Sequence, residues 1–306
     1  MSARAKKTGA DDSADPAFLT TKEVAALLRV RERKVYDMAA AGEIPCLKIT
    51  GKLLFPKEEL EAWLNGDVAR PGLSAAAPPS ILVGSHDPLL VWALSASGCD
   101  APTLFGGSLD GLERLARGDA MACALHLYDR ERGAWNVPAI EAAGLEDRFV
   151  LIGFAKRRQG LVFPSGAPEI AEVSALQGRR VVLRQKAAGG RLLLEELLAA
   201  ANVSMSKLDI ADEEARSETE LAEAVADGRA EAALGLEAMA QRYGLGFTPL
   251  IEESFDLLIE RRAYFAEPLQ SLFRFFRTDA FRERAAAFAG YDLSDCGAVR
   301  WNGAGN

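Results

Sequence analysis

From Phe18 to Leu64 apolar residues recur at helical and then at strand spacing. Thr20-Thr21-Lys22-Glu23 has the form of a capping box, in which the Thr20 hydroxyl accepts from the Glu23 N–H and the Glu23 carboxylate reaches back. Val24, Leu27 and Leu28 then supply one apolar helix face. Arg29-Val30-Arg31 predicts a tight turn, and Val35 and Met38 space a second helix ending near Gly42. Two β-type runs, Ile44 to Ile49 and Lys52 to Phe55, flank Thr50-Gly51 as a hairpin, and Pro56 opens a last helix through Leu64. Helix, turn, helix, hairpin, helix is the order of a small winged helix-turn-helix.

Residues 66–80 break this pattern with Pro, Gly and Ser and no periodicity, which is linker chemistry. Beyond them strand-like runs at 81–84, 103–105, 121–127, 149–155, 161–164, 180–184 and 231–235 alternate with helical stretches such as 87–97 and 108–117. That alternation predicts an α/β domain with mainly parallel sheets, long enough for two lobes. The expected organisation is a flexible tail over 1–16, a winged helix-turn-helix over 17–65, a linker over 66–80 and an α/β domain over 81–306.

Composition excludes intrinsic disorder, since 49% of the 306 residues are apolar. The net charge of −8 argues against nucleic acid as a partner until it is divided. Residues 1–70 hold 12 basic and 11 acidic side chains, or +1, whereas 71–306 hold 24 and 33, or −9. The head is thus nearly neutral and the body acidic. No apolar run approaches a membrane span, and the first 16 residues lack the apolar core of a signal peptide, so a cytoplasmic protein is expected. Cys46, Cys99, Cys123 and Cys296 are widely spaced, with no C-x-x-C, and read as reduced small hydrophobes rather than metal ligands.

The head resembles the excisionase-type, MerR-like winged helix-turn-helix in Thr20 to Leu28, Val35-Tyr36, Gly42-Glu43-Ile44-Pro45 and Leu60 to Leu64. The resemblance implies double-stranded DNA as partner, with the second helix in the major groove and the wing along the backbone. The candidate contacts are Thr21, Lys22, Arg31, Arg33, Lys34 and Tyr36, with Lys48 and Lys52 flanking the wing tip. Asp37 departs from the family, placing a carboxylate where phosphate would be repelled. So few cations in so small a module point to binding as a homodimer or higher homo-oligomer.

In the body, polar loops follow the strands: Ser85-His86-Asp87, Gly106-Gly107-Ser108, His126, and Gln185 to Arg191. In an open parallel sheet such loops converge on a crevice. Gly189-Gly190-Arg191 leads into an apolar helix whose free N–H groups favour an anion, bracketed by Arg184 and Arg191, while Lys156-Arg157-Arg158 is read as another loop. The stretches Gly107 to Leu112, Arg158-Gln159-Gly160, Arg184-Gln185, Gly189 to Arg191, Gly228 to Gly235 and Gly290-Tyr291-Asp292 resemble the periplasmic-binding-protein-like domain of bacterial ligand-responsive regulators related to molybdate- and tungstate-binding proteins. That resemblance implies two lobes, one over about 81–152 and 250–306 and the other over about 153–249, closing on a ligand. At Ala187-Ala188 this chain lacks the hydroxyl residues common in that family.

The ligand-binding candidates are therefore Ser85, His86, Asp87, Ser108, His126, Arg158, Gln159, Arg184, Gln185, Gly189, Gly190 and Arg191. Together the modules predict a ligand-responsive one-component bacterial transcription regulator sensing a small anion, either a molybdate- or tungstate-like oxyanion or a small organic acid. A DNA-binding architectural or excision factor is the alternative, with an α/β enzyme behind it. No nucleophile elbow, Walker loop, dinucleotide fingerprint or metal-ligand spacing is present, so no catalytic residue and no cofactor is expected.

Overall fold

A computed structural model of the chain describes residues 18–40, 44–49, 52–64 and 78–303. The expected tail, most of the expected linker, the end of the second helix near Gly42 and the Thr50-Gly51 turn lie outside the described residues. The chain divides into two compact units, 1–76 and 77–306.

In the first unit β1 (Phe18–Thr20) leads into α1 (Thr21–Leu28), followed by α2 (Glu32–Ala40), β2 (Leu47–Ile49), β3 (Lys52–Pro56) and α3 (Lys57–Leu64). The capping box is present: the Glu23 N–H donates to Thr20 Oγ1 at 3.4 Å and the Thr20 N–H to Glu23 Oε2 at 2.7 Å. Those donors, the Thr20 backbone first, hold the Glu23 carboxyl below its ordinary range. Arg29 stops α1 in the left-handed conformation at φ +55°.

Two expectations change here. Leu27 is half exposed, and Ala25 instead joins Val24 in the core with Val35, Ile44, Phe55 and Leu60. The position of α2 and β3, not hydrophobicity along α1, selects its inner face. β1 was not anticipated: three residues carry no periodicity, and β1 exists by pairing antiparallel with β3 in a sheet ordered β1-β3-β2.

The second unit continues with β4 (Leu82–Gly84), α4 (Pro88–Ala96), β5 (Thr103–Leu104), α5 (Ser108–Arg117), β6 (Ala122–Leu125), β7 (Tyr128–Asp129), β8 (Ala134–Trp135) and α6 (Val137–Ala142). A 15-residue strand, β9 (Phe149–Phe163), leads away to β10 (Arg180–Val181), α7 (Gly189–Ala200), β11 (Asp209–Ile210), α8 (Glu218–Ala226), β12 (Ala233–Leu236) and α9 (Glu237–Arg242). The equally long β13 (Gly246–Glu260) returns to α10 (Glu267–Phe275), α11 (Asp279–Ala286), β14 (Tyr291–Asp292) and β15 (Val299–Trp301).

The main sheet runs β12-β9-β13-β6-β4-β5, with β14 and β15 pairing on β9. Only β4 with β5 and β4 with β6 are parallel in it, so the expectation of mainly parallel sheets is corrected. Chain that crosses on β9 and returns on β13 lays these two strands antiparallel through the middle. The second correction concerns 149–155 and 161–164, which are one strand. Lys156 to Gly160 resembles a loop in sequence but pairs with β13 throughout.

Separate apolar cores lie at the two ends of these crossing strands. One gathers Leu89, Leu90, Phe154, Phe255 and Leu272, the other Leu161, Leu183, Leu193, Leu198 and Leu234. The second unit is thus a two-lobed α/β domain, and the first is a winged helix-turn-helix.

Candidate functional site

On the head, Lys22, Arg31, Arg33, Lys34, Tyr36 and Lys52 are exposed, while Thr21, the first residue of α1, is buried. The Lys48 side chain lies outside the described residues. Buried Val35 anchors α2 to the core, which turns Arg33 and Asp37, four residues apart, outward on one face.

In the two-lobed domain the loops after β4, β5 and β6 meet on one side of the crossing strands. Gly84 lets them converge, because a Cβ there would lie 2.1 Å from the Ala124 carbonyl oxygen of the neighbouring strand. Ser85 and Ser108 are buried and share a hydroxyl hydrogen bond of 2.7 Å, and the His126 N–H donates to Ser108 Oγ at 3.2 Å. The buried side chain of Asn136 accepts from the Leu127 N–H and donates to the Ser254 carbonyl and to Asp256, tying the end of β6 to β13. Burial pushes the Asp256 carboxyl up to about 6.

Across these loops runs a charged network centred on Arg157, which is fully buried. Arg157 donates to Asp87 at 2.7 Å and to Glu253, and its guanidinium lies 4.0 Å over the Phe255 ring. Tyr291 Oη donates to Asp87 at 2.5 Å, His126 Nδ1 to Glu253 at 2.7 Å, and Gln159 Nε2 to both Glu253 oxygens at 3.1 Å. Burial opposes the Glu253 charge, but Arg157 first and His126 next outweigh it and hold the carboxyl down to about 2. Burial and then Asp87 push the Tyr291 hydroxyl well above its ordinary value, so it stays a donor.

The far lobe brings Arg184, Glu218 and the start of α7 to the same place. Arg184 and Glu218, both buried, form an ion pair, and Arg184 also donates to the Ala215 and Arg216 carbonyls. Gly189 and Gly190 are the first residues of α7 rather than a preceding turn. A Cβ on Gly189 would lie 2.5 Å from the His126 carbonyl oxygen, so the lobes touch there, and the Leu109 N–H bonds the Ala187 carbonyl at 3.2 Å beside it. Both α5 and α7 start without a capping side chain. At the entrance a cavity of about 730 Å³ is lined by Phe105, Gly106, Gln185, Glu213, Glu214 and Arg216.

Ten of the twelve expected ligand residues thus gather in and around the cleft: Ser85, His86, Asp87, Ser108, His126, Gln159, Arg184, Gln185, Gly189 and Gly190. The structure does not bring in the other two. Arg158 points to the opposite face of β9 from Arg157 and pairs with Glu237 at 2.6 Å, and Arg191 pairs with Glu195 of its own helix at 2.6 Å. Sequence reading missed Arg157, Glu218, Glu253 and Tyr291. The available signal was a charged residue between two apolar runs that together have strand length.

The profile of a helix-turn-helix domain matches residues 18–67, and that of the PBP superfamily domain matches residues 93–277, more than half of the chain. The chain belongs to the PBP superfamily. Over 299 residues it is 25% identical to YvgK of Bacillus subtilis (strain 168), itself uncharacterized, a match spanning 92% of this chain and 96% of that one.

Similar solved structures include the regulatory domain of MetR, a LysR family regulator from N. meningitidis. It is 9% identical, with a TM-score of 0.48, and the match covers 69% of this chain and 98% of that one. Another is the regulatory domain of CcmR from Synechocystis PCC6803 in complex with 2-PG, 11% identical, with a TM-score of 0.48 and coverage of 64% and 93%. The alkanesulfonate-binding protein SsuA from Xanthomonas axonopodis pv. citri, bound to MOPS, is 18% identical, with a TM-score of 0.39 and coverage of 70% and 78%. The chain joins a domain of DNA-binding type to one of ligand-binding type. Among the described residues no helix is long and apolar enough to cross a membrane.

Proposed function

We propose that this chain is a cytoplasmic, ligand-responsive, one-component transcription regulator, with a DNA-binding head over 17–65, a linker over 66–80 and a sensor over 81–306. The observation that carries the proposal is the cleft, where buried polar groups from both lobes and from the two crossing strands face one another beside the start of α7, which has no capping side chain. Uncapped N–H groups favour an anionic group on the ligand. A ligand that touches both lobes favours the closed arrangement by its differential affinity, and a dimer of such chains would convert closure into a change in the spacing of two heads.

Gel shifts at physiological salt test the proposal. The full chain should prefer DNA from upstream of its own gene over a scrambled duplex by about 10³-fold. Equal binding to both overturns the proposal. Arg33→Ala should weaken binding to both duplexes and lower the slope of log affinity against log salt by about one. Asp37→Asn should tighten binding several-fold, because it removes a carboxylate from the exposed face that carries Arg33. Unchanged or weaker binding by Asp37→Asn would show that α2 does not face the phosphates.

A further inference from the structure

Five buried side-chain atoms around the cleft have no hydrogen-bond partner: His86 Nδ1, Gln159 Oε1, Gln185 Oε1, Glu218 Oε2 and Arg157 Nε. Three are oxygens that can only accept. The Gln159 orientation is set by its neighbour, because Nε2 must face the Glu253 carboxylate and Oε1 is left over. Burial holds the His86 ring below its ordinary value. Among side chains whose atoms can only donate, Arg157 Nε is the one left without a partner in the cleft. Unmet acceptors in a buried site are a demand for donors, since each costs free energy until it is satisfied.

Two of these side chains, Gln159 and Glu218, meet beside the start of α7. An added Cβ on Gly190 would lie 3.9 Å from Gln159 Nε2, 3.9 Å from the Arg184 side chain and 4.0 Å from Glu218 Oε1. The Gln159 amide and the Glu218 carboxylate, each with one unmet oxygen, therefore both come within about 4 Å of one position at the start of α7 through Nε2 and Oε1, and a small group fits there. Charge points the same way. Asp87, Glu218 and Glu253 exceed Arg157 and Arg184 by one inside the cleft, and Glu213, Glu214 and Glu220 exceed Arg216 at the entrance. A bare tetrahedral oxyanion offers no hydrogen to these acceptors and adds negative charge to a negative site.

Resting on the sensing role proposed above, we infer that the ligand is a small amino acid-like zwitterion whose ammonium group is held by Glu218 and Gln159. Its acidic group lies toward the start of α7, which has no capping side chain. Glu218 keeps one oxygen on Arg184 and turns the other to the ammonium, and Gln159 bridges the ammonium to the Arg157 network through Glu253.

Thermal shift of the full chain with three probe sets tests this. The first is the protein amino acids with β-alanine and γ-aminobutyrate. The second is amine-free acids of matching length, acetate to glutarate, and the third is molybdate, tungstate, sulfate and phosphate. Members of the first set should raise the melting temperature, and their counterparts without the amine should not. Glu218→Gln keeps an acceptor for Arg184 but turns a donor toward the ammonium, and should weaken binding of the responding amino acid by about tenfold or more.

Gly190→Ala supplies a control for folding. Its methyl group meets only ordinary contacts and favours the helix, so the unliganded protein should melt no lower than wild type while amino acid binding is lost. If amine-free acids or oxyanions stabilise the protein as well as amino acids do, the ammonium assignment is overturned and the sensing of small anions stands. Stabilisation by no member of any set overturns both. Full amino acid binding by Gly190→Ala overturns the location.

Discussion

Replacing Arg157 by methionine is expected to lower the unfolding free energy by about 3–5 kcal/mol, the largest loss from any single substitution outside the apolar cores. Asp87 and Glu253 are fully buried, and both lose their counter-ion at once. Both carboxylates are removed from bulk solvent in the folded state, so their charge is left uncompensated. Urea unfolding of the two variants measures the effect. Asp87→Asn/Arg157→Met/Glu253→Gln should regain more than half of the loss, because the triple substitution removes the stranded charges rather than restoring contacts. An Arg157→Met loss below about 1 kcal/mol would mean that the network contributes little to the native state.

Acid provides a second readout of the same network. The Glu253 carboxyl is held down to about 2, against an ordinary value of 4.5. A group depressed in the folded state contributes stability that is complete above the unfolded value and is lost as the pH falls through the folded one. Wild type should therefore lose about 3 kcal/mol from this group between pH 5 and pH 2, and Arg157→Met much less.

The second large effect is expected at the contact between the lobes. Gly189→Ala should fold normally, since Gly189 has no left-handed backbone and alanine suits a first helical turn. Its methyl group, however, would meet the His126 carbonyl at 2.5 Å, nearer than any real contact, so the closed arrangement becomes inaccessible. The Leu109 N–H, which reaches the Ala187 carbonyl across this contact, should exchange with solvent at least about tenfold faster, and ligand-induced stabilisation should vanish. Protected Leu109 exchange in the variant would show that the lobes close without the Gly189 contact. Gly189→Ala and Gly190→Ala thus separate closure from binding by one residue. One methyl group meets the opposite lobe, the other the space beside Glu218.

The parts of the head that depend on neighbours in sequence were legible from sequence. The Thr20-Glu23 box, the turn at Arg29 and the two β-type runs are decided within a few residues. Strand β1 was not legible, because three residues become a strand only where β3 offers them hydrogen bonds. Most of the polar loops of the cleft were found because residues that end strands and start helices carry a local signature. The arginines were assigned less well. Sequence put forward Arg158, Arg184 and Arg191, and of these only Arg184 lies in the cleft. Strand alternation turns Arg157 inward and Arg158 outward, a choice invisible while 156–160 is read as a loop.

Sequence by itself determined that this protein has a winged helix-turn-helix head and an acidic α/β body, since periodicity, capping and charge act over short spans. Only the tertiary structure decided what the cleft offers a ligand. Arg157 meets Asp87 from 70 residues away, Arg184 meets Glu218 from 34, and His126 meets Glu253 from 127. Whether a buried charge is free for a ligand or already neutralised depends on which partner the fold carries to it, and local spacing holds no record of that partner.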